Sequence, residues 1–76
     1  MVKAYVLIEM QPGRSRNLVE SLNARGVAVA VDRVTGPYDL VVVLQADDIN
    51  EVSDIVEAEI HSLPGVVRTI TCVSLD

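Results

Sequence analysis

The sequence has few of the residues that carry catalysis, metal binding or covalent cross-links. It contains one cysteine, Cys72, and one histidine, His61, among 76 residues. A single cysteine forms no disulfide within the chain, and one cysteine with one histidine does not supply the ligands of a zinc site. We therefore expect no catalytic centre, no metal and no cofactor.

Aromatic and basic side chains are also scarce. The chain has two tyrosines and no phenylalanine or tryptophan, so its apolar half is aliphatic and rich in valine, which favours β-strands. Six Lys and Arg face eleven Asp and Glu, for a net charge of −5. Because nucleic-acid binding needs clustered cations, this balance argues against direct DNA or RNA binding and against a basic membrane-binding surface.

Long hydrophobic runs are absent from the sequence. None approaches the ~20 residues of a membrane-spanning helix. The N-terminal apolar segment is too short for a signal peptide and ends at Glu9. We expect no membrane partner, a cytoplasmic location and one domain over residues 1–76. A chain this short hides only about 60% of its unfolded surface, so its 50% hydrophobic content exceeds what a small monomer easily buries.

Apolar periodicity and turn residues predict four strands and two helices. Ser15 is the candidate N-cap of the first helix, Gly26 ends it, and Asp48 with Glu51 forms a capping box for the second. The β-α-β-β-α-β order predicts a ferredoxin-like α+β fold, a four-stranded antiparallel sheet of order 4-1-3-2 with both helices on one face. The predicted elements are strand 2–10, helix 14–25, strand 27–35, strand 39–46, helix 49–63 and strand 66–75.

The third predicted strand contains the run LVVVL, residues 40–44, which is apolar on both faces. The first strand is also apolar on both faces, because Tyr5 and Leu7 lie on one face and further apolar residues lie on the other. A sheet face turned to water should be polar, and soluble monomers avoid a contiguous apolar patch. We therefore predict a sheet-to-sheet homodimer. The alternative is that β-rich composition alone raises the apolar count.

Two segments resemble the signatures of the C-terminal effector domain of Lrp/AsnC transcription regulators, called the RAM domain. VTGPYDLVVVLQADD, residues 34–48, is similar to that family's turn and third strand. IHSLPGVVRTITCVSL, residues 60–75, is similar to its helix end, Leu-Pro-Gly-Val turn and threonine-bearing strand. The resemblance extends over essentially the whole chain. Full-length members also carry a helix-turn-helix DNA-binding domain that this chain lacks, so we expect a stand-alone RAM module.

The resemblance implies an amino-acid effector-binding and oligomerisation module with no DNA binding of its own. It implies homodimers, higher rings such as octamers or decamers, and amino acids or related metabolites bound between subunits. The module would act alone or together with full-length Lrp/AsnC regulators. The ligand-binding residues expected from the resemblance are Gly36, Pro37, Tyr38, Asp39, Thr69 and Thr71.

The four turn residues also have ordinary structural roles. Gly36 suits a turn because its backbone is permissive, and Pro37 stiffens that turn. Tyr38 is either a half-buried aromatic at a strand start or the wall of a pocket. Asp39 either bonds local turn amides or accepts the ammonium group of an amino acid.

The two threonines lie two residues apart on a strand and so share a face. The alternative to a ligand-binding hydroxyl pair is that both positions hold threonine because threonine favours β-strands. In a sheet of order 4-1-3-2, the fourth strand and the turn between the second and third strands lie toward opposite edges. We therefore expect a site that uses both Asp39 and Thr69 to be shared between subunits. Cys72 is expected to be a small core residue.

Two other classes share features with this chain. Small monooxygenase-like enzymes of the dimeric α/β-barrel type use the same sheet-to-sheet dimer, but the isolated His61 and the missing aromatic lining argue against that class. ACT-like regulatory domains share the fold and bind similar ligands. Their glycine-rich first loop is poorly matched by QPGRSRN, residues 11–17, which has one glycine.

Overall fold

The computed structural model describes residues 1–26 and 28–75. Its strands form one antiparallel sheet in the order β2-β3-β1-β4, which confirms the predicted ferredoxin-like topology. The elements are β1 (Val2–Met10), α1 (Ser15–Arg25), β2 (Ala30–Arg33), β3 (Leu40–Ala46), α2 (Ile49–Ile55) with a π-helical turn (Val56–Ile60), and β4 (Val66–Val73).

The core lies between one face of the sheet and both helices. Strict alternation on the two central strands supplies the sheet side, because every second residue of β1 and β3 points to the same face. Leu18 and Leu22 supply the α1 side. Both helices therefore cover the same sheet face, as predicted. The remaining buried residues are Ala4, Val6, Ile8, Met10, Leu40, Val42, Leu44, Ala46, Val52, Val56, Ile60 and Leu63.

Helix α1 ends as predicted but begins differently. Gly26 takes a left-handed backbone conformation (φ 68°), and its N–H bonds the carbonyls of Leu22 and Asn23. At the other end the N-cap is Arg14, which makes no side-chain capping bond. The prediction of Ser15 as N-cap is wrong. The Arg14 N–H donates a hydrogen bond to the Gln11 carbonyl (3.2 Å) in the preceding turn, and Ser15 is already the first residue of the helix.

Helix α2 begins with the predicted capping box. Asp48 Oδ1 accepts a hydrogen bond from the Glu51 N–H (2.8 Å), and Glu51 Oε2 accepts from the Asp47 N–H (3.4 Å). The return bond thus reaches one residue further back than in a standard box. Ile49, in the first turn of this helix, is 59% exposed, so burial on α2 begins at Val52. No helix in the described residues is long and apolar enough to span a membrane.

Strands β2 and β4 are shorter than predicted. The predicted strand 27–35 pairs as a strand only over Ala30–Arg33, and Val27 lies outside the described residues. Residues 34–39 instead form a loop, closed by a bond from the Val34 N–H to the Asp39 carbonyl (2.9 Å). Strand β4 ends at Val73, after which the Ser74 N–H still bonds the Lys3 carbonyl (2.8 Å).

The sheet face turned away from the helices is apolar in its centre, and we call it the open face. Tyr5 stands opposite Val43 on one side and Cys72 on the other, and is 37% exposed. Cys72 is therefore exposed on this face, so its prediction as a core residue is wrong: the register of β4 sets it beside Tyr5. The apolar centre of the open face consists of Tyr5, Leu7, Ala30, Val41, Val43, Ile70 and Cys72, and Lys3, Glu9, Asp32, Gln45 and Arg68 lie around it on the same face.

The capping box gives a first testable prediction. Asp48→Ala removes the acceptor of the Glu51 N–H and should lower the free energy of unfolding by about 1 kcal/mol. Asp54→Ala, an equal charge change at an exposed position further along the same helix, is the matched control and should change stability much less. Urea denaturation measures both. Equal losses in the two variants would contradict the capping role.

Candidate functional site

The loop between β2 and β3 is fastened to the end of β1 by Asp39. Asp39 Oδ2 accepts a hydrogen bond from the Met10 N–H (2.7 Å), and the Asp39 N–H donates to the Ile8 carbonyl (2.9 Å). A residue 29 positions away thus satisfies the last backbone donor of β1. One carboxylate oxygen of Asp39, Oδ2, therefore has a structural role.

Tyr38, beside Asp39, lies under the guanidinium group of Arg68. The Arg68 Cζ atom is 5.5 Å from the centroid of the Tyr38 ring, and Arg68 Nη2 is 3.3 Å from Glu9 Oε1. Arg68 and Glu9 are both more than one-third exposed, so these contacts contribute little to stability. They do join three elements, because Arg68 on β4 reaches across β1 to the loop.

Thr69 and Thr71 share a face, as predicted. Thr69 stands opposite Ile8 and Thr71 opposite Val6, so both side chains are on the helix-covered side of the edge strand β4. Thr69 Oγ1 lies 2.7 Å from the Nε2 atom of His61, which ends the π-helical turn. The Thr69 hydroxyl therefore has a fixed partner, whereas Thr71 is exposed.

His61 is a site residue that sequence reasoning missed. It was assigned no partner, yet the chain reverses at Pro64-Gly65 and brings β4 back beside the helix end. Gly65 permits this reversal with a positive φ of 91°. That turn is the feature of the sequence that could have predicted the contact, because a short reversal after a helix places the next strand against the last helical turn.

An open depression of about 360 Å³ lies at this place, along the edge of β4. Backbone alternation leaves the N–H and carbonyl groups of Thr69 and Thr71 directed to the free edge, because the Ser74 N–H points to β1. The depression thus offers a hydroxyl, an imidazole and strand-edge amides to a polar ligand. Its lining residues are His61, Val66, Val67, Arg68 and Thr69.

One protomer brings only part of the predicted site together. Gly36 and Pro37 are exposed at the tip of the loop, and no hydrogen bond within residues 1–26 and 28–75 joins Asp39 to Thr69 or Thr71. Arg68 links the two halves, since it contacts Tyr38 and lines the same depression as Thr69. Across the described ranges, no cluster of three or more His, Cys, Asp or Glu side chains could hold a metal ion.

Comparison with known families assigns the chain. The model of the Lrp/AsnC ligand binding domain matches residues 3–76, so the chain belongs to that family. No curated protein is significantly similar in sequence. Among solved structures, TTHA0845 from Thermus thermophilus is 38% identical with a TM-score of 0.91, and the alignment covers 100% of this chain and 95% of that one. FFRP-DM1 is 27% identical with a TM-score of 0.91, covering 99% of this chain and all of that one.

Longer members of the family share the fold at lower identity. The AsnC protein of E. coli is 14% identical with a TM-score of 0.90, and the alignment covers 99% of this chain but 51% of AsnC. The regulator NMB0573 of Neisseria meningitidis, solved as a complex with L-Met, is 18% identical with a TM-score of 0.87. Here too the chain spans about half of the longer protein, at 50%.

The Asp39 anchor gives a second prediction. Asp39→Ala leaves the part-buried Met10 N–H without its acceptor and should lower the free energy of unfolding by about 1–3 kcal/mol. Asp39→Asn keeps a carbonyl oxygen as acceptor and should be closer to wild type. Asp32→Ala, at an exposed position on β2, controls for the loss of one negative charge. Thermal unfolding compares the three, and an Asp39→Ala protein as stable as Asp32→Ala would contradict the anchor.

Proposed function

We propose that this chain binds an amino acid or a related small metabolite and forms oligomers, as an effector module of the Lrp/AsnC type. It acts alone or together with full-length regulators, has no catalytic role and does not bind DNA itself. The observation that carries the proposal is the Asp39 carboxylate and the Thr69 hydroxyl on a ligand-binding-domain fold. The net charge of −5 agrees with the absence of DNA binding.

Ligand chemistry supports the amino-acid class. An amino acid carries an ammonium group and a carboxylate close together, and charge-assisted hydrogen bonds to both ends are the strong ones. Asp39 Oδ1 suits the ammonium group, while Thr69, Thr71 and Arg68 suit the carboxylate. Since Asp39 and the threonines are not joined in one protomer, we propose that neighbouring subunits share the site. A relative whose structure is a complex with L-Met supports the same ligand class.

The open face supports assembly through a second copy of the sheet. Its central residues are aliphatic or aromatic, and Tyr5 and Ile70 remain 37% and 40% exposed. Fully burying a side chain of this size is worth about 1.5–3 kcal/mol relative to leaving it in water. Two facing sheets would bury the patch on both partners with one two-fold axis. Higher rings, octameric or decameric, would then form from such dimers.

A thermal-shift screen of the twenty amino acids tests the ligand. A compound that binds only the folded protein stabilises it by about 2.7 kcal/mol at a concentration of 100 Kd, so the melting temperature must rise. We expect at least one amino acid to raise it in the wild type and to do so less in Asp39→Asn and Thr71→Val. No response to any amino acid would contradict the proposed ligand class.

A substitution in the centre of the open face tests the assembly. Val43→Asp sets a charge where a second sheet would pack, so we expect a smaller mass by light scattering at micromolar concentration. Val29→Asp is the matched control, because Val29 is 60% exposed and precedes Ala30, the first paired residue of β2. If both variants keep the wild-type mass while folded, the open face is not the interface.

A further inference from the structure

The hydrogen bond between His61 and Thr69 can run in either direction. The two atoms, Nε2 and Oγ1, are 2.7 Å apart. A threonine hydroxyl has one proton to donate and two lone pairs that accept. A neutral imidazole has one nitrogen that donates and one that accepts, and an imidazolium donates from both. The protonation of His61 Nε2 therefore decides which way this bond runs.

The direction of that bond changes what Thr69 offers to a ligand in the depression. If Nε2 has no proton, it accepts the hydroxyl proton of Thr69, and the oxygen presents only lone pairs. If Nε2 carries a proton, it donates to Oγ1, and the hydroxyl proton is free for a ligand acceptor. Thr69 is thus an acceptor site in the first state and a donor site in the second.

The charges around the depression favour the second state when an anion is present. Among the described residues that line it, Arg68 of β4 is already paired with Glu9 of β1 at 3.3 Å, and Val66 and Val67 add no charge. On the helix of His61, Glu59 is paired with Arg25 at 2.7 Å and Glu57 is exposed. A carboxylate would therefore meet the Thr69 hydroxyl and, on protonation of His61, an imidazolium.

We propose that His61 is a positioning residue that directs the Thr69 hydroxyl toward a ligand carboxylate, so that carboxylate binding requires a proton on His61 Nε2. This rests on the proposed function, which it deepens by assigning the carboxylate end of the ligand to the depression at His61 and Thr69. The positive charge of an imidazolium adds to the attraction for a carboxylate. Affinity for the amino acid therefore rises as the pH falls.

Titration of the same twenty amino acids at about pH 5.5 and about pH 8 tests this, with binding followed by calorimetry. We expect the wild type to bind about three- to tenfold more tightly at the lower pH. His61→Gln keeps a neutral side-chain donor for Thr69 and should bind with little pH dependence. His61→Phe has no donor and should bind more weakly at both pH values. His61 is exposed, so both variants should melt near the wild type without ligand.

The ring nitrogens of His61 provide a second readout that a merely structural role would not produce. The chain has one histidine, so a long-range proton–nitrogen correlation spectrum reports His61 alone. With the tightest-binding amino acid at saturation we expect Nε2 to be protonated. The carboxamide of that amino acid, which lacks the carboxylate, should bind less tightly and lose the pH dependence.

The outcomes separate this inference from the proposed function. If amino acids bind but wild type and His61→Gln show the same pH dependence, or if Nε2 stays unprotonated at saturation, the role of His61 is overturned and the effector module stands. If no amino acid binds the wild type at either pH, the proposed function is contradicted and the role of His61 falls with it.

Discussion

The constraint on which the structure depends is that its sheet is apolar on both sides. Leu40, Val42 and Leu44 enter the core beneath the helices, while Val41 and Val43 of the same strand lie on the open face. Two helices can cover only one face of a four-stranded sheet. The free energy of covering the second face is therefore available to another molecule, and we propose that this partner is a second copy of the chain.

The same sheet arrangement determines where polar chemistry collects. Strand β1 is central and ends at Met10, so the loop after β2 and the start of β4 converge on its two sides. The Asp39 carboxylate accepts a hydrogen bond from the Met10 N–H, and the Arg68 side chain extends from β4 to the Tyr38 ring. Polar groups are thus gathered at one end of β1 and along the exposed edge of β4. If neighbouring protomers share a ligand site there, as proposed above, ligand binding and assembly are coupled.

Local signals in the sequence predicted the fold well because each is decided within a few residues. The Asp48 cap and the Gly26 stop depend on contacts of three or four positions, and both are confirmed. The prediction of Cys72 as core failed because both faces of β4 mix polar and apolar residues, so alternation does not choose between them. The contact of His61 with Thr69 joins separate elements, so the Pro64-Gly65 turn indicates that β4 returns beside the helix end but does not specify this pair. The ligand-binding roles of the predicted residues remain predictions.

Sedimentation equilibrium of the wild-type chain, over a concentration series through the micromolar range, tests the central claim most directly. A sheet apolar on both faces predicts an assembly whose mass is an even multiple of 8.2 kDa and persists on dilution. A single species of 8.2 kDa across the whole series would contradict it, because the open face would then be stable in water.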